Sequence, residues 1–271
     1  NVRVDTSKVQ RRSGGGGGGR GGLKIAGGGL VGVIVLFVVG QLLGVNLLGS
    51  GGLGSLGAVS DQSTQSVTTD NLDQCKTGEA ANTDDVCRMT AASDSIDRYW
   101  TTQVGNYRSP GVALYDGSTQ SGCGPATADV GPFYCPADES IYVDTAFFQT
   151  LRTDFGASGG SLAQMYVLAH EWGHHISNLI GSMNLAGRES GPTSGSVRLE
   201  LQADCFAGAW TRSASTVSDD SGVPFLKPVT TEQIAEGFTH GTSEQRQRWF
   251  QTGYDQGPTA CATFDVDGSQ L

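Results

Sequence analysis

The chain has few basic residues after its first 24 positions. Residues 1–24 carry six lysines and arginines and one acidic residue, whereas the rest carries 11 basic and 26 acidic residues, a formal charge of −15. A nucleic-acid-binding surface needs a basic face to neutralise phosphates, so this deficit excludes DNA and RNA as expected partners. An excess of acidic residues is typical of a soluble protein surface. The length of 271 residues is enough for one or two domains.

Charged residues are absent from residues 25–60. Within this stretch, residues 30–48 approach the length of about 20 apolar residues that a membrane-spanning helix needs. Basic residues precede the stretch and acidic residues follow it. The positive-inside rule therefore predicts a single-pass anchor, with the N-terminus in the cytoplasm and the globular domain outside the membrane. A cleaved signal peptide is the alternative, with Leu56-Gly57-Ala58 as a weak cleavage site.

Glycine-rich sequence lies on both sides of the uncharged stretch. Residues 13–22 are mostly glycine, and residues 49–71 are rich in small and polar residues, which is the composition of flexible segments. The composition therefore predicts four regions. They are a basic, glycine-rich, disordered cytoplasmic segment (1–24), a transmembrane anchor (25–48), a flexible linker (49–74) and a globular domain (75–271).

Cysteine is absent before residue 75, and no Cys-x-x-Cys spacing occurs anywhere. Six cysteines confined to the predicted exported part indicate three disulfides rather than a cysteine-rich metal cluster. Six cysteines allow many pairings. Proximity in sequence favours Cys75–Cys87 and Cys123–Cys135, which leaves Cys205–Cys261 to attach the C-terminal tail.

Helical and strand patterns are mixed in the globular domain. The aspartate pair at 84–85 caps a predicted helix that reaches Val104. Residues 112–115 and 140–144 are predicted strands, and the Gly/Pro-rich stretch 123–135 between them is a predicted loop. This mixture predicts an α+β fold.

A zinc-binding pattern, His170-Glu171-x-x-His174, lies within a segment of helical periodicity. Ser161 and Gln164 form a capping-box pattern just before it, so both histidines fall inside a helix. Residues four apart share one helix face, so both imidazoles can bind one zinc ion while Glu171 lies beside the zinc-bound water. A buried helix with two hydrogen-bonded core histidines is the alternative.

A second helix, predicted from residue 197 to 212, carries the candidate third ligand. Glu200 is a carboxylate from a separate helix, as a catalytic zinc site with three protein ligands and one open position requires. Asp204 lies on the same face and can accept the remaining ring N–H of a ligand histidine. This helix is apolar almost all round, so its carboxylates need partners. A thiolate from Cys205 or Cys123 is the alternative third ligand.

His240 lies on a predicted turn between two helices, because Thr242 and Gln245 form another capping-box pattern. A histidine in this position can donate a hydrogen bond to a tetrahedral oxyanion, and Arg246 can orient it or assist. A purely structural turn is the alternative for both residues. His175 points elsewhere on its helix than the two ligand candidates, so we expect it to be non-catalytic.

Five segments combine into one pattern: His170-Glu171-x-x-His174, Glu200-x-x-Ala203-Asp204, Thr239-His240-Gly241-Thr242, Gly131-Pro132-Phe133-Tyr134-Cys135-Pro136 and Arg248-Trp249-Phe250. Together with the basic, glycine-rich N-terminus and the anchor, they resemble the membrane-anchored neutral zinc metallopeptidases. That family is similar to the gluzincins that take a third ligand from a Glu-x-x-Ala-Asp motif. The resemblance implies zinc bound by His170, His174 and Glu200, with Glu171 as general base.

The resemblance also carries expectations about the fold. It implies a mainly helical zincin-like metalloprotease domain with a small sheet, which we expect to follow one transmembrane helix and the disordered Gly-rich segments. In zincins, a strand edge commonly pairs with the extended substrate. Ile141, Tyr142 and Val143 are our candidates for that strand, with an ordinary internal strand as the alternative.

The expected function is that of a membrane-anchored zinc peptidase. It would hydrolyse peptide or protein substrates outside the membrane through a zinc-activated water. A tethered binding or scaffold protein with a structural zinc is one alternative, and four protein ligands around the zinc would identify it. A zinc-dependent amidase acting on cell-wall substrates is another.

Overall fold

A computed structural model describes residues 3–12, 69–127, 130–147, 161–218, 222–229 and 243–271. The helices of this part of the chain are α1 (Gly78–Thr83), α2 (Asp85–Gln103), α3 (Ser161–Leu179), α4 (Gly195–Thr216) and α5 (Ser243–Gln256). Its strands are β1 (Val9–Arg12), β2 (Thr69–Asp70), β3 (Gly111–Tyr115), β4 (Ser118–Ser121), β5 (Gly124–Thr127), β6 (Phe133–Cys135) and β7 (Ser140–Asp144). Short 3-10 helices are Asp73–Cys75, Ser182–Leu185, Pro258–Ala260 and Gly268–Gln270.

Five of these strands form one mixed sheet in the order β2-β1-β3-β7-β6. Strands β1, β3 and β7 are parallel, and the outer strands β2 and β6 are antiparallel to their neighbours. Strands β4 and β5 form a separate antiparallel pair.

The central strands of the sheet are buried on both faces. Val112 and Leu114 of β3 belong to the main core, which also contains Trp172 of α3. Ala113 and Tyr115, the alternate residues of the same strand, enter a second, smaller apolar cluster. Successive side chains of a strand point to opposite faces, so burial on both sides requires an apolar run without polar interruptions.

Three helices predicted from the sequence are present: the one capped by the aspartate pair at 84–85, the one that carries His170 and His174, and the one that carries Glu200. Each begins close to its predicted first residue. Asp84 caps α2, where its side chain accepts a 2.9 Å hydrogen bond from the Cys87 main-chain N–H. Helix α3 begins at Ser161, and α4 extends beyond the predicted 197–212 at both ends, with Ser194 as its N-cap.

The prediction of a loop over residues 123–135 is wrong in part. Gly124–Thr127 pairs with β4, and Phe133–Cys135 pairs with β7 as a buried strand. The Gly and Pro residues of this stretch are typical of a loop, but main-chain pairing with neighbouring strands holds both segments in an extended conformation.

The prediction that Ile141, Tyr142 and Val143 bind substrate through a strand edge is wrong for the first two residues. All three are buried in β7, which pairs with β3 along its whole length, but β6 pairs only with Ser140, Ile141 and Tyr142. Residues with a paired strand on each side have no unpaired main-chain edge, whereas the role of Val143 stays a prediction. Among the described strands of this sheet, β6 is the edge strand beyond β7.

The predicted single-pass arrangement does not agree with the structure. The predicted anchor, residues 25–48, lies outside the described residues, and no helix in the described part combines the length and apolar character needed to cross a membrane. Strand β1, from the predicted disordered cytoplasmic segment, pairs with β3 of the globular domain, and β2 lies in the predicted flexible linker. Paired strands lie on the same side of any membrane. The predicted transmembrane fold class and location are therefore wrong.

The three disulfides are those that the spacing favoured. Cys75–Cys87, Cys123–Cys135 and Cys205–Cys261 are all formed, and the described residues include no free cysteine. The third disulfide joins α4 to the C-terminal segment.

Candidate metal centre

The candidate site lies where α3 and α4 approach each other closely. A Cβ added at Gly173 would lie 2.7 Å from the Ala203 Cα and 2.8 Å from its carbonyl oxygen. Only glycine fits at such a distance, so the two helix backbones come into direct contact. Gly173 directly precedes His174, and Ala203 is three residues after Glu200, so this contact brings the two candidate ligands together.

Three predicted ligands converge on one point. The Nε2 atom of His170 lies 3.2 Å from one Glu200 carboxylate oxygen, and the Nε2 atom of His174 lies 3.5 Å from the other. One ligand atom from each residue lies within 4.8 Å of the others. Two imidazoles and one carboxylate are the donor set of a catalytic zinc site with one open position, so these residues fit zinc.

The alternative thiolate ligands are not available. Cys205 and Cys123 are both disulfide-bonded, so neither carries the thiolate that binds a metal. A second cluster of potential ligands is formed by Cys75, Asp84 and Cys87, but its two sulfurs are bonded to each other.

The electrostatics of the site favour a bound cation. Burial lowers the pKa of His170, but the carboxylates of Asp204 and Glu200 outweigh it and raise the pKa to about 10. Burial lowers the pKa of His174 to about 4, which keeps that imidazole neutral and able to act as a ligand. Without a metal ion, the carboxylates of Asp204 and Glu200 therefore keep His170 protonated and positively charged. A bound divalent cation can supply that positive charge in place of the proton.

Asp204 fixes the orientation of His170 from behind. Its Oδ1 lies 2.9 Å from His170 Nδ1, and a carboxylate only accepts, so Nδ1 carries the proton and Nε2 is left as the ligand atom. Arg246 donates to both oxygens of Asp204, with 2.6 Å between Nη2 and Oδ1. The Tyr166 hydroxyl donates to Asp204 and accepts a 3.1 Å hydrogen bond from Arg246.

This buried cluster also sets the charge of Asp204. Burial raises the pKa of Asp204, but Arg246 and His170 outweigh it and hold the pKa below its usual value. Asp204 is fully buried and Arg246 is 4% exposed. A buried ion pair with its hydrogen bonds satisfied is a rigid support for a ligand histidine.

Glu171 has the environment expected of a proton acceptor. Burial raises the pKa of Glu171 to about 8, and the positive charge of the neighbouring His170 opposes this shift only in part. Its Oε2 has no hydrogen-bond partner among the described residues. An unpartnered buried carboxylate oxygen beside the three ligands is suited to accept a hydrogen bond from a water molecule at the metal.

Two predicted site residues remain, His240 and Arg246. His240 lies outside the described residues, so its role stays a prediction. Arg246 is buried against Asp204, a contact that the prediction of a role beside His240 did not anticipate.

Sequence reasoning missed two tyrosines of the site. Tyr166 lies four residues before His170 on the same helix, so helical spacing could have identified it. Tyr134 reaches α3 from strand β6, where its hydroxyl bonds to His175 and Asn178, and no local pattern marks that contact.

Comparison with known proteins shows the family of this chain. "Uncharacterized protein Rv2575" of Mycobacterium tuberculosis (strain H37Rv) is 43% identical over 223 residues, which cover 72% of this chain and 76% of that protein. "Uncharacterized protein YpfJ" of Escherichia coli K12 is 34% identical over 262 residues, which cover 88% of this chain and 86% of that protein. No solved structure matches the chain significantly. A family model matches residues 2–223 and 215–264, and the chain therefore belongs to the family described as "Putative neutral zinc metallopeptidase".

Proposed function

We propose that this protein is a zinc-dependent peptidase that hydrolyses peptide bonds with Glu171 as general base. The observation that carries the proposal is the convergence of His170, His174 and Glu200 beside the unpartnered carboxylate oxygen of Glu171. Family membership supports the same reaction class.

The protein residues divide the work of this reaction. His170, His174 and Glu200 would hold the zinc, which would supply a Lewis acid for the scissile carbonyl and for a water molecule. Glu171 removes a proton from the attacking water and delivers it to the departing amine, for which a pKa near neutrality is suitable. Asp204 and Arg246 keep His170 oriented, and His240 is the proposed donor to the oxyanion.

The test compares two glutamate-to-glutamine variants of the same protein. Glu171→Gln should bind zinc like the wild type but lose peptide cleavage by a factor of about 100 to 10,000, because its amide cannot accept the proton. Glu79→Gln, at an exposed position of α1, is the matched control and should retain full activity.

The assay uses a peptide library, with cell-wall fragments in parallel and a chelator in half the samples. Zinc content is measured separately on each variant. Full peptidase activity of Glu171→Gln would refute the assigned base, and zinc without any cleavage would favour a binding protein. Cleavage of cell-wall fragments alone would indicate an amidase.

A further inference from the structure

Residues 3–12, which we call the N-terminal arm, are held by the domain at both of their ends. Strand β1, at the end of the arm, lies between β2 and β3 and pairs with both. Near the start of the arm, the Val4 N–H donates a 3.3 Å hydrogen bond to the carbonyl of Lys76. Val4 and Val9 are both buried, so apolar side chains as well as main-chain bonds hold the arm.

One charged side chain of the arm has a partner that is almost buried. Lys8 forms an ion pair with Asp97 of α2, whose side chain is 7% exposed. The Lys8 ammonium also donates a 2.9 Å hydrogen bond to the Ser109 hydroxyl. A carboxylate that is nearly shielded from water keeps a costly charge when its cation is removed, so this ion pair favours a lysine at position 8.

The charge of the arm is complementary to that of the rest of the chain. The arm contains four basic residues and one acidic residue, whereas the chain after residue 24 has a formal charge of −15. Arg12 donates a 3.0 Å hydrogen bond to the carbonyl of Gln120, and its guanidinium lies 5.4 Å from the centre of the Tyr142 ring. Electrostatic attraction therefore adds to the strand pairing.

The chain leaves the arm and returns to the domain at neighbouring positions. Arg12, the last residue of β1, lies opposite Thr69, the first residue of β2, in an antiparallel pair. Such paired residues have Cα atoms about 5 Å apart. All the contacts that hold the arm in the preceding paragraphs are made with residues from 69 onward, so a cut between residues 13 and 68 breaks none of them.

A chain of hydrogen bonds continues from Asp97 to the helix that carries the two histidine ligands. The Tyr107 hydroxyl donates a 2.8 Å hydrogen bond to Asp97 and accepts a 3.0 Å hydrogen bond from the Trp172 indole. Trp172 is completely buried in α3, between Glu171 and Gly173. Asp97 therefore contacts the arm through Lys8 and is bonded to α3 through a single tyrosine.

We propose that the N-terminal arm is an internal ligand of the domain, recognised through the Lys8–Asp97 ion pair, and that its binding supports helix α3 and thereby the zinc site. A chain cut between residues 13 and 68 then gives a two-piece protein that stays assembled. The inference uses the candidate zinc site but does not depend on peptide hydrolysis.

The test begins with the full chain, into which a recognition site for a specific protease is inserted between Gly16 and Gly17. After the cut, the fragment that contains the arm should stay with the rest of the protein through gel filtration and should separate from it in urea. Mass spectrometry of the eluted peak identifies the fragments. Elution of the arm apart from the rest without urea would overturn the inference.

Synthetic peptides of residues 1–16 then compete with a labelled wild-type peptide for the cut protein, which itself carries no substitution. The Lys8→Met peptide should compete about 10- to 100-fold more weakly than the wild-type peptide, because it leaves Asp97 without its cation. The Gln10→Met peptide, which introduces the same side chain at an exposed position of β1, is the matched control and should compete like the wild type. Equal competition by the two methionine peptides would overturn the role of Lys8.

The zinc dependence of this binding tests the link to α3. If the arm supports the zinc site, zinc must tighten the binding of the arm by the same factor. The Kd of the labelled peptide should therefore be about 5-fold lower, or more, with zinc than with a chelator. An equal Kd under both conditions would overturn the link. A zinc-loaded wild type that cleaves no peptide would overturn the proposed function alone, and a wild type that binds no zinc would overturn both.

Discussion

Asp204 joins the candidate metal ligand His170 to the buried guanidinium of Arg246. The carboxylate accepts hydrogen bonds from both residues and from Tyr166. Supporting contacts of this kind set both the orientation of a ligand histidine and its basicity. At the scale of single residues, Asp204 should therefore influence zinc affinity without touching the metal.

We expect Asp204→Asn to weaken zinc binding by about 10- to 100-fold. The neutral amide would also leave Arg246 buried without its counter-charge, which costs about 3–5 kcal/mol of stability. Competition with a chromogenic chelator measures the affinity, and circular dichroism checks that the variant is folded. Asp265→Asn, at an exposed position, is the control. Unchanged zinc affinity in Asp204→Asn would show that the ligand does not depend on this carboxylate.

His175 makes the stability depend on pH. Burial lowers the pKa of His175 in the folded protein below its ordinary value of 6.5. Between the folded and unfolded pKa values, the unfolded chain binds more protons, so stability rises with pH in this window. The contribution is complete above pH 6.5 and decreases as the pH falls through the folded pKa.

The measurement is the midpoint of urea unfolding at several pH values for metal-free wild type and His175→Asn. The wild type should lose stability below pH 6.5 more steeply than the variant, because asparagine does not titrate. The comparison cancels the contributions of His170 and His174, which are common to both proteins. Parallel pH profiles would contradict a buried, neutral His175.

The contact between α3 and α4 is the element-scale feature that makes the site. Gly173 leaves room for the α4 backbone at Ala203, and Gly208 in turn leaves room for the carbonyl of Phe250 in α5, 2.1 Å from where its Cβ would be. Helices that meet at glycines can lie closer than larger side chains allow. This spacing determines how far Glu200 lies from the histidines.

Gly173→Ala should therefore destabilise the protein by about 1–3 kcal/mol through overpacking and should weaken zinc binding. Alanine otherwise favours a helix over glycine by about 1 kcal/mol, so helix propensity alone predicts the opposite sign. Gly78→Ala in α1 is the control, since its added Cβ would meet nothing within 4 Å. Thermal unfolding of both variants shows whether Gly173→Ala is destabilising, as overpacking predicts, or stabilising, as helix propensity predicts. Competition with a chelator measures the zinc affinity of both variants.

At the scale of the whole molecule, the disulfides link different lengths of chain. Cys205–Cys261 spans 56 residues and joins α4 to the C-terminal segment, where the Cys261 carbonyl also accepts a 2.9 Å hydrogen bond from Gln202. Cys123–Cys135 spans 12 residues. A longer closed loop restricts the unfolded chain more, so the first disulfide should contribute more to stability.

We expect replacement of both Cys205 and Cys261 by alanine to cost about 4 kcal/mol, and the same change at Cys123 and Cys135 to cost about 3 kcal/mol. Urea unfolding of the two double variants gives both free energies. The first variant should also bind zinc less tightly, because its disulfide begins beside Asp204. A larger loss from the shorter disulfide would contradict this order.

The sequence was most informative where a structure depends on nearby residues. The cap at Asp84, the helix that carries His170 and His174, and the helix that carries Glu200 follow from short-range spacing and capping chemistry. Strand β1 could not be predicted in this way. Its partner β3 lies about 100 residues later in the chain, and its two arginines resemble a charged tail.

By itself, the sequence determined which side chains can bind zinc and that His170 and His174 share a face, because helical geometry places residues four apart together. Only the tertiary structure decided that Glu200 faces both histidines and that β7 is internal. It also brought β1 into the same sheet as β3, which excludes the predicted membrane crossing. These outcomes depend on packing between elements that are distant in the chain, and such contacts leave no periodic signal in the sequence.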